Sequence, residues 1–295
     1  MSDSPGCYSC ALQFDPTCSP TPSTTAPPFP GSHSAPALLS ISRMLQRPVR
    51  VAIENGVTHL DGAQMYENED SLGAGIKASG KPRSELYVTT KLKSLAEGQT
   101  IKDTLVISLK KLGLEYVDLF LIHDPTSAKG ELKAWWKQME EVKSQGLTKS
   151  IGISNFRVED MKEVIEVATI LPAIEFHPYV FKAAEPIYKY ALEHKILIAS
   201  YGGLTPIVRA PGGPVDPVVN GIAERLKISP SQVYTKWLLQ KGILVVTTTS
   251  KPARITETLK TPDVTDLTSE DIAAIEEAGA KLHKRIFMRH VFGEA

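Results

Sequence analysis

Cysteine is nearly absent: Cys7, Cys10 and Cys18 are the only three among 295 residues, and none follows. A body without cysteine is not held by disulfides, which suits a reducing compartment. Cys7 and Cys10 have the C-x-x-C spacing of half a zinc site, but no second pair follows, so no metal is expected. Excess charge of one sign is lacking too, because 33 Lys and Arg balance 33 Asp and Glu. Neutrality removes the electrostatic case for nucleic acid or an acidic membrane surface. No apolar run reaches the roughly 18 residues a membrane helix needs. The first basic residue is Arg43, so the charged start of a secretory signal is missing, and Asp3 and Asp15 precede any arginine, unlike a mitochondrial presequence. The cytoplasm is therefore the expected location. Finally, no G-x-G-x-x-G follows any candidate strand, which weakens an open dinucleotide-binding sheet.

What is present divides at about residue 36. Residues 1–36 are rich in Ser, Thr and Pro, as in Ser19-Pro20-Thr21-Pro22, and such composition buries too little apolar surface to offset ordering entropy. They are expected to form a disordered leader, with residues 37–295 as one folded domain. The abrupt change also suggests a mis-specified start or splice boundary. Beyond it, short apolar runs alternate with amphipathic stretches. The expected strands are Thr58–Asp61, Leu86–Lys91, Val117–His123, Ser150–Ser154, Ala173–Phe176, Ile196–Tyr201 and Ile243–Thr248. Near-continuous apolar runs of this length suit a parallel sheet buried on both faces. Between them, Ile101, Leu105, Leu109 and Leu112 share one helical face. Ser229-Pro230-Ser231-Gln232 is a capping box, and Thr268 with Asp271 starts a last helix in the same way.

Strict β/α alternation predicts an α/β fold, a (β/α)₈ TIM barrel, whose first strand is irregular or missing. It would fall in residues 31–45, where Gly31-Ser-His-Ser-Ala-Pro-Ala-Leu-Leu39 is poor strand material. Pro48 would kink or break the helix after it.

In a barrel, the residues at the carboxyl ends of strands surround the active site. Asp61, Lys91 and His123 each end an apolar strand, Ser154-Asn155 and His177 follow two others, and Tyr66 lies five residues past Asp61. Hydride delivery to a ketone builds negative charge on oxygen, so an acid must supply a proton. Tyrosine can do so, but its free pKa near ~10 is high for neutral pH. A nearby ammonium lowers that value. Lys91 is expected to play this part, Asp61 to hold Lys91 by an ion pair, and His123 to orient the carbonyl by a hydrogen bond.

These segments resemble the signatures of the aldo-keto reductase family. His59-Leu-Asp61-Gly-Ala-Gln-Met-Tyr66 is similar to the motif carrying the catalytic aspartate and tyrosine, Thr89-Thr90-Lys91 to the strand with the catalytic lysine, and Tyr116 to His123 to the strand with the catalytic histidine. Gly146 to Phe156 matches a further signature, and so do Trp136-Lys-Gln-Met-Glu140 and Ile174-Glu-Phe-His177-Pro178-Tyr179. The resemblance covers about residues 50 to 290. It implies NADPH-dependent reduction of a ketone or aldehyde, with NADPH/NADP+ as cofactor and a monomer or weak oligomer as the state. By the same resemblance, Ser154 and Asn155 hold the nicotinamide carboxamide and Tyr201 stacks on its ring. The segment Thr248 to Glu257, with Thr249, Ser250, Lys251, Arg254 and Glu257, clamps the adenosine 2′-phosphate and adenine; arginine suits phosphate because its planar fork binds bidentately.

The pattern departs from the family at four places. Thr248 stands where a lysine is usual, Pro172-Ala173 where asparagine-glutamine is usual, and Asp124 where a tryptophan follows the catalytic histidine. The fourth departure is the unrecognisable first strand. Gly62 to Tyr66, Ser200 to Pro206, Val245 to Ser250 and Phe287-Met-Arg289 look like a fungal branch similar to reductases of ketopantoyl lactone and conjugated polyketones. That branch implies an α-dicarbonyl or a secondary-metabolite intermediate as substrate. Trp135 is a candidate to line the substrate pocket, with packing against the barrel as its alternative. Two rival functions are a Schiff-base lyase using Lys91 and a non-catalytic barrel that binds NADPH as sensor or scaffold.

Overall fold

The computed structural model describes residues 38–40, 46–164 and 172–293. The expected leader, residues 1–36, and the three cysteines lie outside these residues. Among the described residues there are eight strands: β1 Leu38–Ser40, β2 His59–Asp61, β3 Tyr87–Leu92, β4 Val117–Ile122, β5 Thr148–Ile153, β6 Ala173–Glu175, β7 Ala199–Tyr201 and β8 Leu244–Thr247. The helices are α1 Gln46–Glu54, α2 Glu69–Ser79, α3 Ile101–Leu112, α4 Leu132–Ser144, α5 Val158–Val164, α6 Pro178–Glu193, α7 Thr205–Val208, α8 Asp216–Leu226, α9 Pro230–Gln240, α10 Pro252–Leu259, α11 Ser269–Gly279 and α12 Arg289–Phe292. Among the described residues, no helix is long and apolar enough to cross a membrane.

All strands run parallel, in the order β5-β4-β3-β2-β1-β8-β7-β6. A parallel bridge from Ser154 to Ala173 joins the end of β5 to β6, with the Asn155 N–H donating to the Ala173 carbonyl at 2.9 Å. The ring is thereby closed as a (β/α)₈ barrel, and closure leaves no free edge.

The first strand is not missing. It lies within the window expected for it, as three residues only, with Leu39 in register with Leu60 on one side and Thr247 on the other. Pairing on both flanks decides its conformation where local propensity is weak. Pro48 does not break α1 either. It sits in the first turn, where its absent N–H has no intrahelical partner to lose.

Two apolar layers follow from the alternation of side chains along each strand. Val88 and Phe120 point outward into the large core beneath the helices, whereas Leu119, Leu121, Ala173, Ala199 and Val246 form a small core inside the barrel. The outer layer is sealed by amphipathic helices. On α3, Ile101, Leu105, Leu109 and Leu112 are all buried, each contributing about 1.5–3 kcal/mol. Thr100 caps its start by a capping box with Asp103, and Gly113, at φ +65°, ends it. The expected boxes at Ser229/Gln232 and Thr268/Asp271 begin α9 and α11.

Candidate active site

The inward positions of β2 and β3 end in chemistry. His59 and Asp61, and Thr89 and Lys91, take alternate inward places, so two apolar strands each lift an ionisable group to the carboxyl rim. A short 3-10 turn, Gln64–Tyr66, then carries Tyr66 over them. Gln64 fixes this turn: its Oε1 accepts from the Lys93 N–H at 2.9 Å and its Nε2 donates to Ser108 Oγ at 3.0 Å.

Lys91 is the centre of the cluster. Its Nζ donates to Asp61 Oδ2 at 2.5 Å and to the Gly62 carbonyl at 3.0 Å, and it lies 4.9 Å from the centroid of the Tyr66 ring. The His123 ring meets the Tyr66 ring edge-on at 5.3 Å. Tyr66, Lys91 and Asp61 line one cavity, floored by Leu119, Leu121 and Ala173. The expected convergence of Asp61, Tyr66, Lys91 and His123 is therefore present.

The electrostatics differ from expectation in one respect. Burial pushes the Tyr66 phenol above its ordinary value, and although the Lys91 ammonium pulls it down, the net shift is upward. Burial also disfavours the Lys91 ammonium, but Asp61 and Tyr66 overcome this and hold it more firmly protonated than a free lysine. His123 is pushed down to about 3, first by burial and then by Lys91, so its ring is neutral at neutral pH. Its Nδ1 is buried and has no hydrogen-bond partner among the described residues.

A second group lines the rim beside these. Asn155 has φ +64° and is fully buried. Its Nδ2 donates to the His123 carbonyl at 2.8 Å and to Ser154 Oγ at 3.0 Å, while its Oδ1 accepts from the Tyr201 hydroxyl at 2.5 Å. Ser154 Oγ donates to the Ala173 carbonyl at 3.0 Å. The donors of Ser154 and Asn155 are thus engaged within the protein, and what remains free on them is acceptor capacity. Tyr201, at the end of β7, is half-buried and shares the cavity with Lys91.

No residue of the loop after β8 is among those lining this cavity. Thr249 Oγ1 accepts from the Lys251 N–H at 3.2 Å, and Ser250 is exposed. Lys251 and Arg254 are exposed at the start of α10, and neither cation meets a carboxylate among the described residues. Glu257 faces the other way and accepts from the hydroxyl of Ser229, the cap of α9.

The profile of the Aldo/keto reductase family matches residues 42–206 and 214–280. The chain belongs to that family. Among its relatives is the "NAD/NADP-dependent indole-3-acetaldehyde reductase" of Schizosaccharomyces pombe, 37% identical over 257 residues, or 85% of this chain and 89% of that one. Another is the "NADPH-dependent alpha-keto amide reductase" of Saccharomyces cerevisiae, 32% identical over 252 residues, or 81% of this chain and 80% of that one. The structure of a Bombyx mori aldo-keto reductase in complex with NADP superposes with a TM-score of 0.76 at 28% identity, covering 86% of this chain and 92% of that one.

In this aldo/keto reductase, Trp135 takes the second of its two expected places. It is buried on α4 with Leu132, Met139 and Val142, one apolar stripe turned toward the barrel wall, and it is not among the cavity's lining residues. Two residues had no role in the sequence reading. His59 lines the cavity below Lys91, bonds Thr89 Oγ1 through Nε2 at 2.9 Å, and is pushed down to about 3, chiefly by burial. Glu175, at the end of β6, is fully buried; it accepts from the N–H groups of Ile286 and Phe287 and bonds His177 Nε2 at 3.0 Å. His177 therefore supports Glu175 and does not face the cavity. A carboxylate within an apolar strand was the available signal, but the backbone N–H groups it holds lie 111 and 112 positions away.

Proposed function

We propose that this chain reduces a ketone or aldehyde to an alcohol with NADPH, using Tyr66 as general acid. The observation that carries this is the buried Lys91 ammonium, held by Asp61 beside the Tyr66 ring. Because its pKa lies above the ordinary value, the phenol still carries its proton at neutral pH and has one to give. As the proton passes to the carbonyl oxygen, the ammonium stabilises the phenolate left behind. Asp61 keeps that ammonium charged and in place. Neutral His123 donates a hydrogen bond to the same oxygen and orients it.

The residues present fit the cofactor. When bound, the reduced nicotinamide supplies the hydride. Tyr201 offers a half-buried ring beside the cavity, and Ser154 and Asn155 offer acceptors suited to the amide N–H groups of the carboxamide. Ala173 brings no side-chain donor of its own to this task. Lys251 and Arg254, which meet no carboxylate among the described residues, suit the 2′-phosphate, with Thr249 and Ser250 beside them, whereas Glu257 is engaged by Ser229. Lys251 takes the task usually given to the lysine replaced by Thr248. The NADP-related names of the yeast relatives and the NADP-bound insect structure support this cofactor.

We place the substrate among small electron-poor carbonyls, α-dicarbonyls above all, in the manner of a fungal branch similar to ketopantoyl lactone and conjugated polyketone reductases. A secondary-metabolite intermediate would be of this kind, and the cytoplasm would be the location. An α-keto amide, named for one relative, likewise sets a ketone beside a second carbonyl. A Schiff-base role for Lys91 is disfavoured, because imine formation needs a neutral amine and Asp61 holds the charged form.

The test is NADPH oxidation across a panel of diketones, lactones and aldehydes. Turnover with diketones foremost is expected. NADPH binding without oxidation by any carbonyl would leave a sensor or scaffold instead.

A further inference from the structure

The Tyr201 hydroxyl and the Asn155 amide meet at 2.5 Å, and each bond around them has only one possible direction. The backbone carbonyls of His123 and Ala173 can only accept. Asn155 must therefore turn its Nδ2 toward His123, at 2.8 Å, and Ser154 must give its one proton to Ala173, at 3.0 Å. The same Nδ2 donates to Ser154 Oγ at 3.0 Å, so both amide protons are committed. That leaves Oδ1 facing Tyr201. An amide oxygen only accepts, so the phenol donates. Burial, and after it the Glu175 carboxylate, raise the Tyr201 phenol well above its ordinary value, so it keeps the proton it donates.

The two partners differ in freedom. Asn155 is fully buried and sits at φ +64°, a conformation that asparagine tolerates better than most side chains. Its N–H is fastened to the Ala173 carbonyl at 2.9 Å. With backbone and amide both tied, its Oδ1 is a fixed point. Tyr201 is only half-buried, and its ring can turn about its own side-chain bonds. Tyr201 lines the cavity with Tyr66 and Lys91, whereas Asn155 is not among the lining residues. A group arriving from the cavity therefore reaches Oδ1 only after the Tyr201 hydroxyl has left it.

We propose that the Tyr201 hydroxyl is a placeholder: in the free protein it occupies the Asn155 acceptor that the nicotinamide carboxamide takes when the cofactor binds. This rests on the cofactor reading given above. Binding then exchanges one donor for another at a fixed oxygen. A buried oxygen left without a donor is costly, and the placeholder spares the free protein that cost. It also weakens cofactor binding, because the bond to Tyr201 must break before the carboxamide N–H can replace it.

The experiment uses the full chain with Tyr201→Phe, which keeps the ring and removes only the hydroxyl. Dissociation constants are read from protein fluorescence for three ligands: NADPH, its acetylpyridine analogue and 2′-phospho-ADP-ribose. The analogue carries a methyl ketone with no N–H in place of the carboxamide, and 2′-phospho-ADP-ribose has no nicotinamide at all. The constant for NADPH is expected to fall about fivefold in the variant, the net worth of one hydrogen bond. The constants for the other two should stay within about twofold, since neither brings an N–H to Asn155. A constant for NADPH that is unchanged or raised would overturn the proposal. An equal fall for all three ligands would overturn it too, because a hydroxyl that merely stiffens the rim would act on them alike. If neither protein binds NADPH, the cofactor reading itself falls and takes the placeholder with it. Binding by the unsubstituted protein with no gain in the variant removes the placeholder alone.

Discussion

The ammonium of Lys91 lies 2.5 Å from a carboxylate oxygen of Asp61, and both side chains are buried at the ends of adjacent parallel strands. A buried charge stripped of its partner is far costlier than a buried pair removed whole. Lys91→Met alone is therefore expected to lower unfolding free energy by about 3–5 kcal/mol. Asp61→Asn combined with Lys91→Met should recover most of that loss. Urea denaturation measures both, and additive losses would contradict the coupling.

Two neutral imidazoles predict acid sensitivity. His59 and His123 ordinarily titrate at 6.5 but are held at about 3 in the fold, first by burial and then by Lys91. Between those values the unfolded chain binds protons that the folded chain refuses. The stability from their neutrality is thus fully present above about pH 6.5 and declines as pH falls toward 3, by about 1.4 kcal/mol per pH unit for each histidine. Thermal unfolding from pH 7 to pH 4 should show this slope, and His59→Gln should reduce it by one proton. A slope that His59→Gln leaves unaltered would count against the assignment.

In the loop after β8, Lys251 and Arg254 are exposed at the start of α10 and meet no carboxylate among the described residues. Arg254→Ala is expected to raise KM for NADPH by about tenfold or more, the loss of one charge-assisted contact. KM for NADH should hardly move, because NADH lacks the 2′-phosphate. Equal changes for the two cofactors would remove Arg254 from phosphate recognition.

Gln64 ties the turn bearing Tyr66 to the end of β3 and to α3. Gln64→Ala should cost about 1 kcal/mol of stability and lower kcat more than it raises KM, since it displaces the acid and leaves the binding surface intact. A change confined to KM would argue against a positioning role.

Seven of the strands were legible because a parallel strand covered on both faces is a run of apolar residues. Leu38–Ser40 escaped that reading, since three residues between two neighbours need little propensity of their own. Pro48 misled for a positional reason: proline in the first turn removes no helical bond. The meeting of Asp61, Tyr66, Lys91 and His123 was a hypothesis, raised by three strand-end positions and the family resemblance, that spacing alone does not show. The direction of the Tyr66 shift did not, because it depends on how far the barrel wall excludes water, which no spacing records. Glu175 and His290 were silent, because the Ile286 N–H that Glu175 accepts from and the Asp124 carboxylate that His290 meets lie more than a hundred positions from them.

The central claim is that the Tyr66 hydroxyl provides the proton. Tyr66→Phe keeps the ring that meets His123 and Lys91 and removes only that hydroxyl. Turnover of a diketone should fall by about 10²–10⁴-fold, while the NADPH dissociation constant, read from protein fluorescence, stays within about twofold, a shift of under about 0.5 kcal/mol. A Phe variant that reduces the diketone as fast as the unsubstituted protein would contradict the account.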